Sequence, residues 1–256
     1  MKKIEAHGKI FYQFEQLDLP GLFHFSSTRQ GWGGNGKARF TGDQLSDFQP
    51  FREELANALK IQSNQFVFPR QVHGNKVEII TELTVSDDII DTDALITNRL
   101  NMCVCVQTAD CVPILLYDPV KRVVAAIHAG WKGTVSKIVS KTLHDMQRHF
   151  DTDPEDVIAG IGPSIHMHVY EVGEDVIHAV RDGFDNYRDL LKPSMKEGKA
   201  YLDLWEANKS LLVDAGIPNE QIEIMGFCSY SHEALFFSVR RDGADTGRMV
   251  SGIMLR

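Results

Sequence analysis

A mixed α/β fold in one compact domain is predicted by three features of this sequence. Short apolar or β-branched runs, bounded by Gly, Pro or polar residues, alternate with a few amphipathic stretches of helical spacing. The hydrophobic share is 43% and the charged share 24% over 256 residues, enough to bury a full core. No stretch rich in Pro, Gly or Ser separates one half from the other, so residues 1–256 are read as a single domain of mixed β-sheets flanked by helices.

Taken in order, Lys9–Glu15 and Leu22–Ser27 are apolar, aromatic-rich strands, and Gly31-Trp32-Gly33-Gly34-Asn35-Gly36 ends the second in a loop. Phe51, Leu55 and Leu59 predict a helix over Phe51–Ile61. Phe66–Arg70 is again extended and delivers His73 into a Gly-bounded turn, with Val77–Ile80 as the return strand. Asp93–Thr97, Met102–Val106, Val112–Tyr117 and Val123–Ile127 read as neighbouring strands of one buried sheet. Beyond Gly130-Trp131-Lys132-Gly133, the positions Val135, Ile138, Val139, Leu143 and Met146 predict one helix from Thr134 to about His149. In the second half Val157–Ile161 is a strand and Gly173–Asp182 a short helix. Leu202–Ala215 is a helix stopped by Gly216-Ile217-Pro218. Ile222–Phe227, Leu235–Val239 and Met249–Leu255 complete the set as strands.

Composition excludes several function classes. The formal net charge of -8, from 27 Lys+Arg against 35 Asp+Glu, argues against nucleic acid or an anionic membrane as a partner. An anionic substrate must instead meet a local basic cluster. Lysines open the chain but no apolar segment follows them, and no apolar window is long enough to span a bilayer, so a cytoplasmic protein is expected. Four cysteines in a chain of this length read as reduced thiols. Cys103 and Cys105 share one strand face and read as core.

Three predicted strands end in a side chain that binds metals: His73 in Arg-Gln-Val-His-Gly, Cys111 in Thr-Ala-Asp-Cys-Val-Pro, and His128 in Ala-Ala-Ile-His-Ala-Gly-Trp. Two imidazoles and a thiolate leave one position of a tetrahedral ion open, the arrangement of a catalytic rather than a structural zinc, and they suit zinc or copper better than magnesium or calcium. A fourth ligand from Cys103, Cys105, Cys228 or His232 would turn the site into a structural staple. Without a metal, Cys111 could act as a nucleophile with His128 or His73 as its base, which is amidase chemistry. A multicopper centre needs many histidines, and this chain has 10 with one His-x-His pair, His166-Met167-His168.

The strings RQVHGNKV, DTDALIT, TADCVPILLYDP, AAIHAGWKGT, IGPSI, YEVG and FFSVRRDGADTGRMVSGIML occur in this order over nearly the whole chain and closely resemble the YfiH/YlmD laccase-domain family. The resemblance implies a YfiH-like fold, zinc (with copper as the alternative), and purine nucleoside chemistry. That chemistry is phosphorolysis of adenosine, inosine and methylthioadenosine to base and ribose 1-phosphate, with phosphate as co-substrate, together with adenosine deamination. It also implies that His73, Cys111 and His128 are catalytic metal ligands. Other activities associated with such proteins are copper-dependent polyphenol oxidation and an amidase acting on cell-wall precursors. Ser164 and His168 stand where relatives often carry Cys or a small residue, and Trp32 replaces a Gly after Thr28-Arg29-Gln30-Gly31. For phosphate, the candidate donors are Arg70, Lys132 with its glycine turn, Arg240, Arg241 and Arg248, because guanidinium groups bind such oxyanions with paired hydrogen bonds. Asp110, beside Cys111, is either an orienter of the site or a turn residue. Both a monomer and a homodimer fit the sequence.

Overall fold

The computed structural model describes residues 1–34, 36–81 and 89–256, so Asn35 of the predicted glycine loop lies outside the described residues. The first half contains β1 (Lys2–Ala6), β2 (Lys9–Gln13), β3 (Leu22–Ser27), helix α1 (Leu45–Leu59), β4 (Phe66–Val67), β5 (Val77–Ile79), β6 (Ala94–Thr97), β7 (Cys103–Thr108), β8 (Val112–Asp118) and β9 (Val123–Ala129). The second half contains α2 (Trp131–Val135), α3 (Ile138–Phe150), β10 (Ile158–Ile161), β11 (Glu171–Val172), α4 (Glu174–Gly183), α5 (Tyr187–Leu190), β12 (Leu191–Pro193), β13 (Ala200–Leu202), α6 (Leu204–Asp214), β14 (Ile222–Ile224), α7 (Val239–Asp242) and β15 (Met249–Leu255). The predicted mixed α/β class holds.

Two six-stranded sheets carry the fold, in the orders β1-β2-β3-β15-β7-β4 and β14-β10-β8-β9-β6-β5, with a small sheet β11-β13-β12 beside them. Both large sheets are antiparallel inside and gain parallel pairs at their edges, β4 with β7 in the first, β5 with β6 and β10 with β14 in the second. Alternation along the second sheet explains the layers. Leu95, Leu115, Val124 and Ala126 face Val104, Val106 and Ile253 of the first sheet. Their neighbours Ile96, Ile114, Leu116, Ala125 and Ile127 face the other way, onto Leu143 and Met146 of α3 and Leu211 and Leu212 of α6. Burying a side chain of this size contributes about 1.5–3 kcal/mol, so the helical layer is anchored mainly by this second face.

The differences from the sequence reading have local causes. Helix α1 starts at Leu45 rather than Phe51, because the Gln44 N–H donates to the Asp47 carboxylate (3.3 Å) and caps the helix ahead of Pro50. The helix predicted over Thr134–His149 is broken into α2 and α3 at Lys137, whose φ of 62 is left-handed and whose ammonium rests on the Phe184 ring at 3.5 Å. Leu235–Val239 is not a strand: the Ser238 hydroxyl accepts from the Arg241 N–H (3.2 Å) and starts the short helix α7. The four central runs do not share one sheet, since β7 lies in the first and β6, β8 and β9 in the second. Val77–Ile79 likewise pairs with β6 and not with β4.

These last two corrections position the site. Two of the crossings from one sheet to the other run through residues 68–76, from β4 to β5, and through residues 109–111, from β7 to β8. The first crossing carries His73 and the second carries Cys111. Among the described residues no helix is long and apolar enough to cross a membrane.

Candidate metal centre

Asp93, which immediately precedes β6 and is fully buried, organises two of the three candidate ligands. Its carboxylate accepts the N–H groups of Val72 (3.2 Å), His73 (3.0 Å) and Gly74 (2.8 Å), and lies 2.7 Å from His128 Nδ1. Its backbone carbonyl accepts the His128 N–H at 2.7 Å. The turn bearing His73, which has φ 60, and the inward-facing ring on β9 are thus tied to one carboxylate. Burial opposes ionisation of Asp93, but the contacts with His128 and with the Gly74 and Val72 amides outweigh it and hold the group below the usual carboxylate range.

Cys111 is positioned by a second braced turn. Asp110 has φ 99, a conformation that only surrounding contacts sustain. Its carboxylate accepts from the Ser229 hydroxyl and from the Arg240 N–H, both at 2.7 Å, and its carbonyl accepts the Ile165 N–H at 2.9 Å. His73, Cys111 and His128 then meet, their donor atoms all within 4.8 Å of one another. Gly130 closes the group from below. A Cβ there would stand 3.0 Å from Cys111 Sγ and 3.1 Å from His73 Cδ2. Gly130→Ala is therefore expected to push these two side chains apart and to weaken metal binding about 10-fold or more while changing thermal stability little. Retention of full metal affinity in that variant would show that the cradle can yield to a methyl group.

The electrostatics of the trio are those of an ion pair. Burial pushes the Cys111 thiol up, yet the charge and hydrogen bond of His128, with the His73 contact, bring it down to about 6. Burial pushes His128 down, while Cys111 and Asp93 raise it to about 9. With Nδ1 turned to Asp93, the proton facing Cys111 sits on Nε2. Between these two values the metal-free site holds a thiolate and an imidazolium. A metal ion requires both donors deprotonated, so its binding near pH 7.5 is expected to release about one proton, supplied by His128. Below pH 6 the release rises as the thiol too is protonated, and above pH 9 it vanishes. Calorimetry in buffers of different ionisation heat reads this count, and no proton release near pH 7.5 would contradict the assignment.

The donor chemistry fits a zinc or copper ion: two imidazoles and a thiolate, one imidazole oriented by a carboxylate in the manner of metal-bound histidines. Among the described residues no fourth His, Cys, Asp or Glu joins the group. Cys103 and Cys105 are buried in the first core with their sulfurs 3.7 Å apart, as the sequence predicts. Cys228 is buried and receives the His166 N–H at 3.4 Å, and His232 Nδ1 lies 3.0 Å from the Cys228 carbonyl.

A cavity of about 390 Å³ opens over the trio, lined also by Arg39, Thr41, Gln71, Gln107, Thr108, Ala109, Val239, Ala244 and Arg248. Of the cationic residues named from sequence, Arg248 reaches this cavity and the others do not line it. Arg70 donates to the Gly42 carbonyl (2.7 Å), in a separate hollow with Phe48 and Phe68. Lys132 is exposed, 5.7 Å above its neighbour Trp131. Arg240 uses its guanidinium on the Glu171 carbonyl (2.8 Å) and the Tyr170 ring, and Arg241 braces the carbonyls of Ser229, Tyr230 and Phe236. Asp110 holds the backbone beside Cys111, and the carboxylate that orients an imidazole is Asp93. Asp93 lies inside the DTDALIT string, but nothing in sequence separates a buried clamp from an acid that merely opens a strand. Nor does the sequence single out Arg39, in an irregular segment, or Gln71 and Gln107: the Gln71 side-chain amide donates to the Gln107 carbonyl (2.9 Å) and accepts the Gln107 N–H (2.8 Å).

Known proteins share this architecture. The family described as multi-copper polyphenol oxidoreductase laccase matches residues 27–256. A purine nucleoside phosphorylase of Bacteroides thetaiotaomicron is 39% identical over 248 residues, covering 91% of this chain and 92% of its own length. An adenosine deaminase, RL5, from an unknown prokaryotic organism is 34% identical, covering 94% of this chain and 98% of its own. The crystal structure of YlmD from Geobacillus stearothermophilus superposes with a TM-score of 0.89 at 30% identity, over 99% of this chain and 98% of that one.

Proposed function

The chain belongs to the multi-copper polyphenol oxidoreductase laccase family, and from that premise we propose that it is a zinc-dependent enzyme of purine nucleosides. Its main reaction is phosphorolysis of adenosine, inosine and methylthioadenosine, with adenosine deamination as a second activity. One observation carries this reading: His73, Cys111 and His128 converge beneath a cavity of about 390 Å³ with no fourth ligand among the described residues, which leaves a face of the ion free for substrate. A volume of this order suits a nucleoside. The names of the relatives supply the substrate class.

In phosphorolysis a phosphate oxygen bonds to ribose C1′ as the C1′–N9 bond breaks. The bonding pair passes to the purine, which takes up a proton and leaves as free base. In deamination water adds at C6 of adenosine and ammonia departs, giving inosine. A bound zinc ion supplies a fixed positive charge against which negative charge can develop. The protein's part is preorganisation. Asp93 fixes the His128 imidazole and the backbone turn that carries His73, the Asp110 turn fixes the sulfur, and the Gln71 side chain bonded to the Gln107 backbone keeps one wall rigid. Ala109, Val239 and Ala244 offer the base an apolar surface.

The same geometry supports a second reading. Cys111, His128 and Asp93 stand in the order nucleophile, base and orienter, as in thiol hydrolases. Metal separates the two, because a thiol nucleophile works without it. The direct test is to incubate the zinc-loaded protein with adenosine, with and without phosphate, and to identify the products. Free adenine only with phosphate is the expected result, and inosine reports deamination. Turnover of no purine nucleoside would overturn the proposal.

A further inference from the structure

We propose that Arg39 and Arg248 together form the subsite for the phosphate dianion, on the wall of the cavity above His73, Cys111 and His128. The inference rests on the phosphorolysis reading and names the residues that would hold its co-substrate.

Two guanidinium groups from distant parts of the chain line the same cavity as the candidate metal ligands. They are held side by side by backbone: the Arg248 N–H donates to the Ala38 carbonyl at 2.7 Å, so the segment before Arg39 and the strand end before β15 move as one. Their charge is poorly matched. Among the described residues Arg39 meets one carboxylate, Asp245 (3.1 Å), which is 84% exposed and shared with Lys37, and the Thr246 carbonyl (3.5 Å). Arg248 has no carboxylate partner among the described residues and bonds only to carbonyls, those of Thr246 (2.6 Å), Gly247 (3.0 Å) and Ala244 (3.3 Å). Burial, and next the adjacent Arg39, push the Arg248 guanidinium below its ordinary value.

Two like charges beside a half-enclosed cavity, in a chain of net charge -8, are an arrangement that an oxyanion stabilises. The carbonyl bonds of Arg248 fix its plane and, with the Asp245 and Thr246 contacts of Arg39, leave Nε and part of the Nη donors of the two groups for a ligand, enough for a tetrahedral dianion to be held between them. Inorganic phosphate and the phosphate of a nucleotide share this chemistry. Inorganic phosphate is assigned, because the ion must stand beside the sugar of a nucleoside and not extend from it.

Calorimetric titration of the zinc-loaded protein with inorganic phosphate, and separately with adenosine 5′-monophosphate, tests this. Phosphate is expected to bind the unmodified protein and to bind Arg39→Gln and Arg248→Lys about 10- to 100-fold more weakly, with the KM for phosphate rising more than the KM for adenosine. Arg39 is more than a third exposed, so Arg39→Gln keeps the fold even if Arg248 also braces its turn. Phosphate affinity in both variants equal to that of the unmodified protein would overturn the subsite. So would binding of the nucleotide without binding of free phosphate. Arginine-dependent phosphate binding without release of base from any nucleoside would confirm the subsite and sink the phosphorolysis reading instead.

Discussion

Cys111→Ala is expected to remove stoichiometric zinc and to slow nucleoside turnover by about 10³-fold. The sulfur is the sole anionic donor of the trio, and without it two neutral imidazoles hold a divalent ion only weakly. Folding should survive. Cys111 is only partly buried, and His128 keeps its bond to Asp93 when the thiolate, the partner that chiefly raises its proton affinity, is gone. Metal content by atomic absorption, with thermal melting as the folding control, reads the result. A variant that keeps its zinc and its turnover would mean that the ion sits elsewhere. Loss of turnover with zinc retained would point to the thiol as a nucleophile.

Asp93→Asn is the second large effect, and it reaches both stability and the site. The native carboxylate serves three amide donors and the His128 ring while fully buried. An amide side chain turns one of its two acceptors into a donor, leaving at least one buried N–H facing another. The expected cost is about 3 kcal/mol of folding stability, and a 10- to 100-fold loss of metal affinity because the His128 ring loses its orienting carboxylate and the turn that carries His73 loses its anchor. The sign with pH follows from the depressed pKa of Asp93. Its contribution is fully present above the unfolded carboxylate value of about 3.9 and is lost as pH falls through the lower folded value. Urea unfolding at pH 7 and at pH 3 should show a smaller difference between wild type and variant at the lower pH. A constant gap would mean that the carboxylate charge is not what stabilises the turn.

Much of the fold was legible because periodicity records burial. Leu202–Ala215 and Gly173–Asp182 differ from α6 and α4 by a residue or two, and Met249–Leu255 is β15. What could not be read was which sheet a buried strand joins. Met102–Val106 and Val112–Tyr117 are equally apolar, and only pairing with β15 on one side and with β9 and β10 on the other separates them. The break at Lys137 was hidden for a related reason, since a left-handed lysine leaves no trace in a hydrophobic pattern. In the site, the three candidate metal ligands stood out by residue type at the ends of predicted strands. The residues that brace them and line the cavity did not. Asp93 looks like any acid before a strand, and Arg39 like any surface arginine, until the fold places one beneath His128 and the other beside Arg248.

The central claim, an open three-ligand zinc site, is tested most directly by zinc-edge X-ray absorption on the metal-loaded protein. One sulfur at about 2.3 Å, with nitrogen and oxygen neighbours near 2.0–2.1 Å, is expected, and the sulfur shell should disappear in Cys111→Ala. A spectrum without sulfur, or with two or more sulfurs closing the site, would contradict the account.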